Sequence, residues 1–187
     1  MSIIAYLGKP WSFSYIAAYG AYGAHHTYRG CATFAQIFKE VQEGIADIGV
    51  VPIKNTLAGP IQETLDLLSS SAVRIMGEQR LKVEHFLLAK PSNLGETQRI
   101  REIHTVYSHP KALAQCEHFL KRYPWIRQIE CDDTATAAHM IATAEDVSIA
   151  AIASKEACQW YDLQVVAENI EDTLQNYTRF VYMVKQL

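Results

Sequence analysis

The chain has 187 residues, 49% of them hydrophobic and 20% charged, enough to bury a full core as one domain or as two small lobes. A net charge of -3, with the 17 Lys and Arg scattered rather than clustered, leaves no basic footprint for nucleic acid. No apolar run approaches the length of a bilayer span, and the opening MSIIAYLG lacks the basic and apolar regions of a signal peptide, so no membrane association and a cytoplasmic location are expected.

Ile3–Leu7 is a short apolar run rich in β-formers that stops at Gly8-Lys9-Pro10, which reads as a strand feeding a turn. After Trp11, either Ser12 or Ser14 can cap a helix running through Ala17-Ala18 towards Gly20 or Gly23, with backbone N–H groups at its start free to meet an anion. His25-His26 reads as a surface pair, because adjacent side chains diverge on either kind of element. Phe34, Ile37, Phe38 and Val41 recur at helical spacing and Gly44 suits a C-terminal stop. Asp47–Ile53 then forms a buried strand, followed by the loop Lys54-Asn55-Thr56-Leu57-Ala58-Gly59-Pro60 and a helix with Ile61, Leu65 and Leu68 on one face. The first seventy residues thus predict strand, helix, helix, strand, loop, helix, with polar loops at the strand ends where open α/β sheets bind ligands.

Val73–Met76 and Val83–Leu88 are the next extended runs, and Ser92–Thr97 reads as an exposed turn. Thr105-Val106-Tyr107 leads into Ser108-His109-Pro110, where the proline suits the first residue of a helix and Ser108 or His109 its cap. Leu113, Cys116, Phe119 and Leu120 form the buried face of that helix, with Gln115 on a different side. Ile126–Cys131 is a strand, Asp132-Asp133-Thr134 caps an Ala-rich helix over 135–144, Ser148–Ala153 is an apolar strand, and Ser154 caps a helix reaching Tyr161. After Gln164–Ala167 comes the stretch Asn169–Phe180, which sets polar side chains, among them Asn176, Thr178 and Arg179, between two apolar runs: chemistry on a rigid support.

The alternation argues for an α/β fold with mainly parallel sheets. The strands divide near Gly77 and Leu163, which predicts a discontinuous first lobe of residues 1–77 plus 164–187 and a second lobe of 78–163. In that layout the loops around Ser12, Asn55, Ser108, Thr134 and Thr178 converge on one cleft. Cys31, Cys116, Cys131 and Cys158 are far apart with no CxxC pair, so they read as reduced, mostly buried side chains, and neither a metal nor an organic cofactor is expected.

The ordered set YLGKPWSFS, VPIKNTLAGPIQETLDLL, SHPKALAQC, DTATAA with AAIASKEAC, and ENIEDTLQNYTRF resembles the prephenate dehydratases and covers nearly the whole chain. The resemblance implies two α/β lobes like those of type II periplasmic binding proteins, with the substrate in the cleft between them, together forming one catalytic domain. It also implies a carbon–oxygen lyase that converts prephenate to phenylpyruvate with loss of water and carbon dioxide, in phenylalanine biosynthesis. Thr178 is similar to the family's catalytic threonine, Arg179 would hold a carboxylate through paired N–H bonds, and Phe180 would pack beside the ring. Asn55 and Thr56 match its Asn-Ser pair, Ser12 its Thr before Phe-Ser, and Gln115 its glutamine; Asn176 and the helix starts at Ser12, Ser108 and Thr134 complete the polar lining. Family members continue into a regulatory ACT domain, whereas this chain ends seven residues after Phe180, so no feedback inhibition through such a site is expected. No upstream chorismate mutase region is expected either.

Some positions depart from the family pattern. Lys54 stands where a Glu is usual, Trp11 where a small residue is usual, and Asp133 where Ser is common. Lys54 removes any proton donation by that Glu and strengthens attraction for a dianion. These departures open the rival reading of a prephenate decarboxylase that does not aromatise the ring, with Lys54 guiding ring protonation; an arogenate dehydratase is a separate alternative. A non-catalytic binder of the same fold is a third reading, and surface aromatics suggest a homodimer.

Overall fold

The computed structural model describes residues 1–186. In chain order the elements are β1 (Ile3–Leu7), α1 (Phe13–Tyr22), β2 (Thr27–Cys31), α2 (Phe34–Glu43), β3 (Ile48–Asn55), β4 (Gly59–Pro60), α3 (Gln62–Ser70), β5 (Val73–Lys82), β6 (Phe86–Ala89), α4 (Glu96–Glu102), β7 (Thr105–Ser108), α5 (Pro110–Gln115), α6 (Glu117–Lys121), β8 (Arg127–Glu130), α7 (Thr134–Thr143), β9 (Ile149–Ala153), α8 (Lys155–Trp160), β10 (Gln164–Ala167) and β11 (Tyr177–Lys185). The chain is α/β and forms two compact units, one of residues 1–83 with the segment from Gln175 onward, the other of residues 84–174.

The first unit is built on a sheet of order β2-β1-β3-β11-β5, with β4 paired to β3. β1 runs parallel to β2 and β3, but β11 is antiparallel to both β3 and β5, so the sheet is mixed rather than mainly parallel. One face carries Ile4, Tyr6, Val50 and Phe180 against Ala17 and Ala18 of α1. The other carries Ala5, Val51, Ile53, Val181 and Met183 against Ile37, Phe38 and Val41 of α2. Alternation along each strand therefore sorts the side chains between two cores. Helix α2 forms as its periodicity predicts: Thr33 caps it by accepting from Gln36 N at 3.1 Å, and Gly44 ends it in the left-handed region at φ 73. Gly49 is closely packed: a Cβ there would sit 2.6 Å from Met183 Cε, 3.0 Å from Ile37 Cγ2 and 3.1 Å from Val41 Cγ2, so the Met183 side chain would have to shift and Ile37 and Val41 to give slightly.

The second unit holds the sheet β10-β6-β9-β7-β8, in which β9, β7 and β8 are parallel while β6 and β10 are antiparallel to their neighbours. One of its cores gathers Leu87, Ile100, Ile103, Val106, Leu113, Phe119, Leu120, Ile126 and Ile152.

Several sequence expectations need correction. β2 adds a strand that the sequence pattern does not predict, because it is a largely exposed edge strand with no apolar alternation to reveal it. β5 continues to Lys82 through alternating half-buried and exposed residues, and β10 pairs with β6, which places the unit boundaries after Val83 and Leu174 instead of near Gly77 and Leu163. α4 starts inside the stretch read as a turn, and the single helix expected after Pro110 is broken at Cys116, whose φ of -115 and ψ of 22 lie outside the helical region. Among the described residues no helix is long and apolar enough to cross a membrane.

Candidate active site

In the first unit, parallel β1 and β3 deliver their C-terminal ends to one edge of the sheet, and antiparallel β11 starts at that same edge. This brings Ser12, Asn55, Thr56, Asn176 and Thr178 to one margin. The register between β3 and β11 shifts there: Phe180 opposes Pro52 but Arg179 opposes Lys54, so β3 carries one extra residue. The consequence is chemical. Val51 and Ile53 face the α2 side, and uninterrupted alternation would send Asn55 the same way, whereas Thr178 shares a face with Phe180 on the α1 side. The bulge reverses the parity and re-aims Asn55 at Thr178.

Asn55 Nδ2 donates to Thr178 Oγ1 at 3.0 Å, to Asn176 Oδ1 at 2.8 Å and to Tyr177 O at 3.3 Å. Its Oδ1 accepts from Leu57 N and Ala58 N, both at 2.9 Å, which fixes the loop and the amide orientation together. Asn176 is fully buried and Thr178 nearly so. Thr56 Oγ1 donates to Gln175 O and accepts from Tyr177 N, closing the loop onto the start of β11. Because the Thr178 oxygen accepts from Asn55, its own proton is left to donate, and no acceptor for it is present among the described residues.

Other expected residues at this margin are differently engaged. Ser12 caps α1, accepting from Tyr15 N at 3.3 Å and donating to Leu7 O at 3.0 Å, so its hydroxyl serves the fold. Trp11 holds a left-handed φ of 69 and lies against Tyr15 and Tyr19, with ring centroids 4.9 Å and 5.6 Å away. Its bulk therefore joins a half-exposed aromatic cluster on α1. Arg179 follows Thr178 directly and so points to the other face of the sheet, where its Nε is 3.2 Å from Glu78 Oε2. Lys54, which precedes Asn55, is exposed and opposes Arg179. Phe180 is 1% exposed and packs in the α1 core, a structural position rather than a ligand-facing one.

In the second unit, parallel β7, β8 and β9 likewise bring Ser108, the Asp132–Thr134 turn and Ser154 to one sheet edge. Ser108 is fully buried and donates to Ile152 O at 2.6 Å, tying β7 to β9, so its hydroxyl is not a lining group. His109 is the cap of α5, with Nδ1 accepting from Lys111 N. Burial and Lys111 hold the His109 pKa below its ordinary value, against the pull of Asp133, Glu130 and Asp132. Thr134 opens α7, with Asp133 capping it through Thr136 N at 2.6 Å. Gln115 Oε1 accepts from His85 Nε2 at 2.9 Å, and its carbonyl accepts from Asp172 N at 2.7 Å.

Sequence reasoning overlooked two features. His85 is 2% exposed, with its backbone N–H bonded to Glu171 Oε2, and burial lowers its pKa against the opposing effects of Gln115 and Glu171. The bulge itself had a signal: Pro52 lies in an interior strand, where proline is tolerated at bulges. Among the described residues no cluster of three His, Cys, Asp or Glu side chains could hold a metal ion.

Comparison with known proteins bears on the same residues. A family model described as prephenate dehydratase matches residues 4–186. The chain belongs to the prephenate dehydratase family. The bifunctional chorismate mutase/prephenate dehydratase of Escherichia coli K12 is 38% identical over 187 residues, covering 98% of this chain and 47% of that protein. The chain thus spans about half the length of the curated relatives it matches. Among solved structures, the prephenate dehydratase of Arthrobacter aurescens in complex with L-Phe aligns with a TM-score of 0.84 at 26% identity, covering 98% of this chain and 60% of that one. GqqA, described as a novel type of quorum quenching acylase, aligns with a TM-score of 0.84 at 30% identity over 99% of this chain and 64% of its own. These likenesses agree with the α/β fold expected from the family motifs.

Proposed function

We propose that the two units act together as one catalytic domain that converts prephenate to phenylpyruvate, a carbon–oxygen lyase reaction of aromatic amino acid biosynthesis, in a cytoplasmic homodimer that needs no cofactor. The observation carrying this reading is the hydrogen bond from Asn55 Nδ2 to Thr178 Oγ1, which occupies the threonine oxygen as an acceptor and leaves its proton to donate. In the reaction the bond from C1 of the ring to its carboxylate breaks and carbon dioxide leaves. The electron pair completes the aromatic ring and the C4–O bond breaks, the departing hydroxide taking a proton to become water. Aromatisation supplies the driving force, so the protein's task is to hold the ring and to hydrogen-bond the oxygen as negative charge builds on it.

Thr178 meets that oxygen as donor. Asn55 holds the threonine in the donating orientation, and Asn176 holds Asn55. Backbone N–H groups at the start of α1 attract a carboxylate at the same sheet margin. Arg179, held by Glu78 on the other face, acts on strand pairing and surface charge instead of gripping the substrate beside Thr178.

The decarboxylase reading depends on Lys54 as a guide for ring protonation. Lys54 and Asn55 are consecutive strand residues with side chains on opposite faces, which favours a dehydratase that tolerates the exchange, with prephenate or its amino counterpart arogenate as substrate.

The test is steady-state kinetics on prephenate. Thr178→Ala is expected to lower kcat by about 10²–10³-fold with KM nearly unchanged, while Thr178→Ser retains most of the rate. Equal kcat in Thr178→Ala and the parent would remove Thr178 from the chemistry.

A further inference from the structure

We infer that the outer edge of β5 is the surface through which two copies of this chain associate, the two β5 strands pairing antiparallel about a two-fold axis at Gln79. The inference rests on the homodimeric assembly proposed above and names its interface. β5 ends its sheet, paired to β11 on one side only. It is ten residues long, whereas the opposite edge strand β2 has five and the two edge strands of the other sheet, β8 and β10, have four each. A long edge presents a row of backbone donors and acceptors that templates another strand unless charge or a bulge blunts it; β5 carries Arg74, Glu78, Arg80 and Lys82 and an irregularity at Met76, so pairing is confined to the regular stretch 77–82 and to a register that matches those charges.

The register follows from the side chains. In an antiparallel pair, directly opposed residues share a face, so a two-fold axis must pass through a residue and not between two. An axis at Glu78 or Arg80 opposes that charge to itself, and one at Leu81 opposes Arg80 to Lys82. An axis at Gly77 abuts the irregularity at Met76, where Tyr182 opposes Gly77 but Met183 opposes Ile75. An axis at Gln79 alone within the regular stretch 77–82 opposes Glu78 to Arg80 of the second copy, twice by symmetry, and fits Leu81 over Gly77. Glu78 and Arg80 are both exposed and on the same face as Arg179, so the cross-pair extends an existing row of charges. Such an interface is isologous and closes at two copies.

The decisive experiment measures mass by sedimentation equilibrium for the parent chain, Arg80→Glu, and the exchange Glu78→Arg with Arg80→Glu, alongside oxidative crosslinking of Gln79→Cys and Leu81→Cys. Expected is a doubled mass for the parent, a single mass for Arg80→Glu because like charges then face each other twice, and recovery of the doubled mass in the exchange. Gln79→Cys, on the axis, crosslinks to a dimer. Leu81→Cys does not, since four residue steps, about 13 Å, separate the two copies of that position. A parent of single mass overturns the dimeric assembly itself. A dimer that survives Arg80→Glu and leaves Gln79→Cys uncrosslinked overturns only this interface.

Discussion

Asn55→Asp separates the two duties of this residue. Aspartate keeps the shape and keeps an oxygen for Leu57 N and Ala58 N, so the loop after β3 persists. It loses the Nδ2 donor and with it the bonds to Asn176, Thr178 and Tyr177. The fully buried Asn176 oxygen then faces an anion, which costs about 1–3 kcal/mol unless its amide turns over to donate. At roughly 2–4 °C per kcal/mol for a chain of this size, thermal unfolding falls by about 2–12 °C. The catalytic effect is larger. Thr178 now donates to the new carboxylate, so its proton is withdrawn from the substrate, and the loss of one oriented donor is worth about 10²–10³-fold in kcat, or about 3–4 kcal/mol. The assay pairs steady-state kcat and KM on prephenate with a thermal melt of the same preparation. A kcat within about threefold of the parent alongside a lowered melting temperature would refute the argument, leaving the network purely structural.

Lys54→Glu, which restores the charge usual in the family, is expected to change kcat by less than about threefold because position 54 faces away from Asn55; abolished activity would show that Lys54 has acquired a role. Phe180→Ala should cost about 3–5 kcal/mol in denaturant unfolding through the cavity left among Ile4, Tyr6 and Val50, with KM of the folded fraction unchanged; a raised KM at full stability would return Phe180 to the substrate. His85 gives a pH signature. Its folded pKa lies below the ordinary 6.5, so the unfolded chain binds a proton that the fold refuses, and the stability present above pH 6.5 falls as pH drops towards the folded value. His109 is shifted the same way, so His85→Gln should reduce this acid slope without removing it; an unchanged slope would mean that His85 titrates normally in the fold.

Much of this was legible in the sequence because it is local. The spacing of Phe34, Ile37, Phe38 and Val41 with Gly44 defines α2, and Ser12, Asp133 and Ser154 cap the helices that their positions predict. The prephenate dehydratase motifs carried the family and named Thr178 as its catalytic threonine, and they named Asn55 together with Ser12, Thr56, Ser108, Gln115, Thr134, Arg179 and Phe180 without ranking them. What stayed hidden depends on pairing. β2 and the polar half of β5 are strands only because β1 and β11 lie beside them. The separation of Arg179 from Thr178 follows from strand alternation, while the approach of Asn55 to Thr178 needs the extra residue in β3, a register property that one strand read alone does not contain. Ser108 and Phe180 sit inside functional motifs yet are buried, because motif membership does not separate a residue that touches substrate from one that holds its neighbour.

The most direct measurement is proton NMR of prephenate incubated with the purified protein beside an enzyme-free control. Accelerated appearance of phenylpyruvate, with aromatic ring signals and no accumulation of a non-aromatic product, is expected. A product that has lost carbon dioxide but kept its hydroxyl and a non-aromatic ring would contradict it, as would decay of prephenate at the rate of the control.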